Sequence, residues 1–259
     1  MIRKLLAVLL SSVMCFGQSG LPVMGSTQGS SGGGSAPTAG TSSRGGDAFA
    51  CFHTLTCTTG NITVVNGQPI VTGISAETFT TITGLTDTCG AGSGTSTWTL
   101  QTTATNPAPG TTSVYTAIAG KSGTCTVTLT LTGANAYSRL VAVPVSGANA
   151  STPIGASTSQ DQILPGTGAN AVTSGNFSTT TSNNLVIGWS CDIQGSTDTY
   201  TAGTSPVTFT LIFSNYDGGN FACALETGTV AAASTISATF TASTGGAGQI
   251  MTAGIAIQP

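Results

Sequence analysis

Six cysteines and a handful of acids are the residues with chemistry to offer in this chain. Cys51, Cys57, Cys89, Cys125, Cys191 and Cys223 lie beyond the N-terminal apolar segment that holds Cys15. An even number of cysteines suits three disulfides in an oxidising compartment, with about 15 connectivities open to six thiols. The expected pairs are Cys89 with Cys125 and Cys191 with Cys223, because Cys125 and Cys191 fall on the apolar face of alternating segments. Cys51 and Cys57 then close a small loop around His53. A zinc site is not indicated: the Cys51–Cys57 spacing is too wide for a knuckle, and His53 is the only histidine.

Nucleophilic catalysis needs a base beside a hydroxyl or thiol. His53 is the sole candidate, and the one Gly-x-Ser-x-Gly run, Gly29-Ser30-Ser31-Gly32-Gly33, lies in a Gly/Ser-rich stretch without strand or helix pattern. Glycoside hydrolysis needs two facing carboxylates. The acids are Asp47, Glu77, Asp87, Asp161, Asp192, Asp198, Asp217 and Glu226. Most sit beside Gly, Ser, Thr or Asn, where acids commonly serve turns. Asp192, Asp198 and Asp217 are candidate oxygen ligands for calcium, although their spacing does not follow the twelve-residue helix-loop-helix site. No other cofactor is expected. For sugar binding the candidates are Tyr200, Tyr216 and Phe221, read as lying on loops or strand ends, whereas Trp98 and Trp189 share faces with Leu100 and Ile187 and are read as core.

The composition narrows the partners. Of 259 residues only 5% are charged, and the formal net charge is −3. Arg3 and Lys4 lie in the leader, so Arg44, Lys121 and Arg139 are the remaining bases. Nucleic acid and anionic lipid surfaces need clustered bases and are not expected as partners. The surface stays wet through Ser and Thr hydroxyls.

The elements that must position these residues read as strands. Residues 1–17 form an expected signal peptide, with a basic start, an apolar run and small residues at Cys15 and Gly17. That run is too short to span a membrane. Residues 18–46 are Gly/Ser-rich and are expected as a flexible linker. From Asp47 onward the apolar residues recur with period two. Cys125, Val127, Leu129 and Leu131 share one face while the threonines between them share the other. Val207 to Phe213, Leu185 to Cys191 and Ile236 to Phe240 alternate likewise, and Ile70–Thr72, Trp98–Leu100, Val114–Thr116, Leu140–Val143 and Ile255–Ile257 add strand candidates. Asn66-Gly67 between apolar pairs predicts a hairpin. The expected fold is all-β, one jelly-roll-like antiparallel β-sandwich over 47–259 with disulfides. A Thr126-Thr128-Thr130 array is too short on its own to imply a lattice-binding face.

The order Thr97-Trp98-Thr99-Leu100, Ser113-Val114-Tyr115, Cys125 to Leu129, Val145-Ser146-Gly147 and Thr179 to Gly188 resembles a broad group of secreted Ser/Thr/Gly-rich β-sandwich domains of environmental bacteria. The resemblance covers roughly Thr97 to Pro259 and rests on pattern. It implies an extracellular sandwich; most of that group has no assigned activity. Many of its members carry an acid just before the Ser-Gly step. Val145 stands there in this chain, so no role for that acid carries over. The function expected is a non-catalytic extracellular structural or adhesive module, contacting copies of itself or extracellular glycans at the cell surface. A carbohydrate-binding module is the alternative, and a polysaccharide hydrolase the third reading.

Overall fold

The computed structural model describes residues 34–44, 51–52, 54–77, 81–106, 110–133, 137–193, 198–216, 221–244 and 248–259, the side chains of 52, 106, 216 and 244 excepted. These residues belong to one compact unit. They form antiparallel sheets and three disulfides, as the alternating Thr/apolar pattern requires.

The N-terminal half contains β1 (Thr38–Ala39), β2 (Ser43–Arg44), β3 (Cys51–Phe52), β4 (Thr56–Thr58), β5 (Ile62–Val64), β6 (Pro69–Glu77), β7 (Thr81–Asp87), β8 (Thr99–Asn106), β9 (Gly110–Ile118), β10 (Gly123–Cys125), β11 (Val127–Thr132) and β12 (Tyr137–Ser146). One 3-10 turn, Ala91–Ser93, interrupts it. Sheet I has the order β1-β12-β6-β9-β8, with β2 and β3 also on β12. Sheet II is β4-β11-β7, flanked by the pair β5-β10. Between them lie Ile70, Ile74 and Leu140 from sheet I, Val127 and Leu129 from sheet II, and Ile62 and Val64 from the pair β5-β10.

The C-terminal half contains β13 (Ile154–Ile163), β14 (Gly168–Thr173), β15 (Phe177–Ser178), β16 (Asn184–Asp192), β17 (Thr199–Ala202), β18 (Thr210–Tyr216), β19 (Ala222–Val230), β20 (Thr235–Ile236), β21 (Thr239–Thr244) and β22 (Gln249–Ile257). Sheet III runs β13-β22-β16-β19-β18; sheet IV is β14-β21-β17, with the pair β15-β20 beside it. Val172, Tyr200 and Phe240 pack against Ala222, Ala224 and Ile250, and Phe177 and Ile236 against Val186 and Ala256.

The two halves repeat one scheme of pairing in one chain order. Strands β12-β6-β9-β8 match β22-β16-β19-β18, β4-β11-β7 match β14-β21-β17, and β5-β10 match β15-β20. In each half the first strands pair with the last and the next pair with the last but one, a nested antiparallel order. The single sandwich expected over 47–259 is thus two sandwiches. They stack through sheets I and III: Val71, Val114, Val141 and Val143 of sheet I share a core with Ile187, Trp189, Leu225, Met251 and Ile255 of sheet III. The layers therefore run II, I, III, IV. Strands β6, β12, β16 and β22 are covered on both faces, and nearly every residue in them is buried. A strand covered on both sides needs a continuous apolar run, and Leu140-Val141-Ala142-Val143 supplies one.

At the centre Trp189 is fully buried, and its Nε1 donates to Ser75 Oγ at 3.0 Å. Ser75 Oγ in turn lies 2.9 Å from Thr112 Oγ1. Gly73 makes room for the indole: a β-carbon there would stand 2.6 Å from Trp189 Cδ2.

Three local expectations change. Residues 38–39 and 43–44, read as linker, are strands on β12. Asn66-Gly67 does turn, with Gly67 at φ 84, but it joins two sheets and makes no hairpin. β5 pairs with β10 and β6 with β9 and β12, and the turn's N–H bonds Ala119 O at 2.8 Å. Leu100 is 46% exposed and Trp98 half-buried, because Trp98 precedes β8 and is drawn inward by its bond to Asp87.

Candidate functional site

The disulfides join Cys51 to Cys57, Cys89 to Cys125 and Cys191 to Cys223. Cys191 and Cys223 are direct partners across β16 and β19. Cys89 follows β7 and reaches Cys125 at the end of β10, closing sheet II over its core. His53 lies outside the described residues.

Among the described residues the acids are mostly inside. Asp87 is buried and accepts from Cys89 N at 2.6 Å, Ser96 N at 3.0 Å, Ser96 Oγ at 3.2 Å and Trp98 Nε1 at 2.7 Å. It gathers the loop between β7 and β8. Glu226 lies on β19 within the C-terminal sandwich. Its Oε2 accepts from Gly203 N at 3.1 Å and its Oε1 from Thr239 N at 3.0 Å. Burial pushes its carboxyl up to about 8, against the smaller opposing effect of those two N–H groups.

Asp192 and Asp198 converge at one end of the same sandwich. A β-carbon on Gly248 would lie 2.7 Å from Asp192 Oδ2 and 4.0 Å from Asp198 Oδ2. The Tyr200 phenol stays protonated well beyond its ordinary range, chiefly because it is buried and then because Asp192 and Asp198 are near. Two buried carboxylates form part of an oxygen set for a hard cation. Among the described residues no group of three His, Cys, Asp or Glu comes together. Asp217 lies outside the described residues. Asp161 pairs with Gln249 Nε2 at 2.7 Å.

The aromatic candidates are corrected. Tyr200 is 5% exposed and stacks edge-on against Phe240 at 5.9 Å, and Phe221 is fully buried in the central core. Neither offers a face to a sugar. Tyr200 lies within β17 and Phe221 directly before β19, strands whose inner faces need large apolar groups, so the two read as surface only when the sheet pairing is unknown. Tyr216 closes β18 opposite Ala222, and its side chain is outside the described residues.

What the surface does present is hydroxyls in register. On the outer face of sheet II, Thr128 stands between Thr58 and Thr86, and Thr130 between Thr56 and Gly84. Thr132 faces Thr81, and Thr58 Oγ1 lies 2.8 Å from Thr128 Oγ1. On sheet IV, Thr241 stands between Ala171 and Thr201, and Ser243 between Ala169 and Thr199. Neither set includes a charged side chain. Strand spacing sets neighbours about 4.8 Å apart across such a face and about 6.7 Å along it. The alternation in β11 signalled one row of this array; its lateral extension appears only once β4 and β7 are paired to it.

Two concavities lie apart from the outer face of sheet II. A groove of about 490 Å³ runs between residues 36–39 and the strands β18 and β19, lined by Thr38, Leu185, Thr210, Ile212, Thr227 and Thr229 among others. A second, of about 460 Å³, is lined by Asn176, Ser205, Ser237, Thr239 and Thr241 among others, on the side where Glu226 holds Gly203 and Thr239. Among the described residues no helix is long and apolar enough to cross a membrane. No protein-family model matches the chain, and no curated protein sequence matches it.

Proposed function

We propose that the chain is a non-catalytic extracellular structural or adhesive module that makes contact through the outer faces of its two sandwiches. The carrying observation is the array of in-register Thr and Ser on sheets II and IV. Such a face offers hydroxyl donors and acceptors beside methyl groups, and no ion that must be desolvated. The buried acids support the same reading. Asp87 and Glu226 are each occupied by hydrogen bonds from neighbouring backbone. The three disulfides fit export to an oxidising compartment, with processing near Gly17.

Adsorption of the purified chain to insoluble polysaccharides tests the proposal. Thr128→Lys should reduce the bound fraction severalfold while lowering the melting temperature only slightly, since no like charge stands opposite it. Equal binding by the variant would remove the face from consideration.

A carbohydrate-binding module remains the second reading, favoured by the hydroxyl-lined groove with Leu185 and Ile212 in its wall. Thr227→Lys separates it from the first, since it blocks the groove and leaves both outer faces intact.

A further inference from the structure

The last strand of each sandwich has an edge that must be covered. In the C-terminal sandwich β13 covers it along its length, from Ile154 opposite Ile257 to Ile163 opposite Gln249. In the N-terminal sandwich the same edge of β12 is covered in fragments. β1 pairs Thr38 with Ser146 and Ala39 with Val145. β2 pairs Ser43 with Ala142 and Arg44 with Val141, and β3 pairs Cys51 with Ser138 and Phe52 with Tyr137.

The fragments are not held equally. Cys51 is buried and bonded to Cys57, so β3 is tied to β4. β1 and β2 have no covalent tie. Of residues 34–44 only Pro37 is buried. The rest is held by hydrogen bonds such as Gly40 N to Pro144 O at 2.8 Å and Gly60 N to Arg44 O at 3.0 Å. Side-chain bonds add Asn183 Nδ2 to Gly34 O at 3.0 Å and Ser42 Oγ to Ile212 O at 3.4 Å. No large apolar side chain anchors the segment.

We propose that residues 34–44 exchange between copies of this chain, so that β1 and β2 of one molecule pair with β12 of another. The second copy is the fitting occupant because it restores every bond of the closed form at no cost in contacts, as in domain swapping and strand addition. Six residues separate Arg44 from Cys51. Fully extended they reach at most roughly 22 Å, so exchange requires the neighbour's β12 to lie within that distance. Two reciprocal exchanges close a dimer; one-way exchange extends a chain. The low charge of the protein, −3 overall, opposes the approach only weakly. This inference goes beyond contact through the outer faces and stands even if those faces bind nothing.

The test uses full-length chains. Thr38→Cys and Ser146→Cys are made separately, mixed, equilibrated over a concentration series and mildly oxidised. Exchange predicts a peptide that joins the two introduced thiols across chains, its yield rising with protein concentration. The double variant Thr38→Cys/Ser146→Cys should close within one chain when dilute and then no longer associate. Light scattering of the unmodified protein gives a readout free of thiol geometry. A mass of one chain at every concentration overturns the proposal. Association without the joined peptide overturns it as well, because the contact then lies elsewhere.

Discussion

The N-terminal and C-terminal sandwiches share their strand order and differ in how each stabilises its interior polar groups. In the first, Asp87 takes four donors from a short stretch of loop, including the Trp98 indole, and so fixes the path from β7 to β8. In the second, Glu226 takes only two backbone N–H groups, one on each of two separate segments, and ties the strand ends at Gly203 and Thr239 across the core. Two donors in a dry core do not offset the burial of a charge, so Glu226 is more stable as the acid. The bridges differ in parallel. Cys89–Cys125 ties a loop to a strand, whereas Cys191–Cys223 joins strands already paired. The same topology thus tolerates different local solutions, provided the shared layer between sheets I and III is kept.

That layer should dominate stability. Trp189→Ala removes the largest fully buried side chain and leaves Ser75 without its indole partner. Such truncations cost about 3–5 kcal/mol. For a chain of this size that lowers the melting temperature by about 6–20 °C, at about 2–4 °C per kcal/mol. Calorimetry should show both sandwiches losing stability, since the indole packs between them. A variant that destabilised the C-terminal sandwich alone would break the idea of a shared core.

The next effect compares the two long-range bridges. Cys89 and Cys125 are 36 residues apart, Cys191 and Cys223 32. Loop closure alone then predicts nearly equal losses, about 2–4 kcal/mol for each paired change to alanine. Denaturant unfolding of Cys89→Ala/Cys125→Ala and Cys191→Ala/Cys223→Ala checks this. A gap much above about 1 kcal/mol would show that native packing, and not chain entropy, separates the sandwiches.

Glu226 predicts a smaller effect per pH unit, confined to the C-terminal sandwich. Its folded-state value near 8 lies above the ordinary 4.5, so between those values the folded chain holds a proton that the unfolded chain has released. Stability from this group is complete below about pH 4.5 and is lost as pH rises through about 8, by up to about 1.4 kcal/mol per unit. Thermal melts from pH 5 to 8 should fall for the parent, while Glu226→Gln should flatten the trend. A parent whose stability rose across that window would contradict the assignment.

Much of this architecture was legible, and the misses have physical causes. Alternation in 124–132 reads as one strand; the structure divides it into β10 and β11, which pair in different sheets. The inner face of sheet II is still the one that the alternation marks, because a strand with one wet face must alternate. The preferred cysteine pairs agree with the bridges observed, although the alternation placed only Cys125 and Cys191 and left the connectivity open. The doubling did not show, because sheets repeat pairing order without repeating residues, and the loops differ in length. A signal for it was present: Leu140 to Val143 and Leu185 to Ile187 are unbroken apolar runs, and a strand apolar on both sides implies a layer on both sides. Tyr200 and Phe221 were misplaced for a related reason. Each adjoins a polar loop in sequence, and only the pairing of β17 with β21 and the position of β19 turn them inward.

The smallest effect concerns the threonines themselves and contrasts an outer with an inner hydroxyl. Thr128→Val on sheet II and Thr241→Val on sheet IV replace one β-branched residue by another on a half-exposed strand, so propensity is kept. The bond lost between Thr58 and Thr128 is exposed, and water takes its place. Each change should shift stability by less than about 0.5 kcal/mol. Ser75→Ala is the counterpart inside: it strips the acceptor from the buried Trp189 N–H and should cost about 1–3 kcal/mol. If Thr128→Val proved as costly as Ser75→Ala, the outer hydroxyls would be holding the sandwich together. If it left stability untouched yet weakened adsorption to polysaccharide, the array would be spending its hydroxyls outward, which is the property an adhesive face requires.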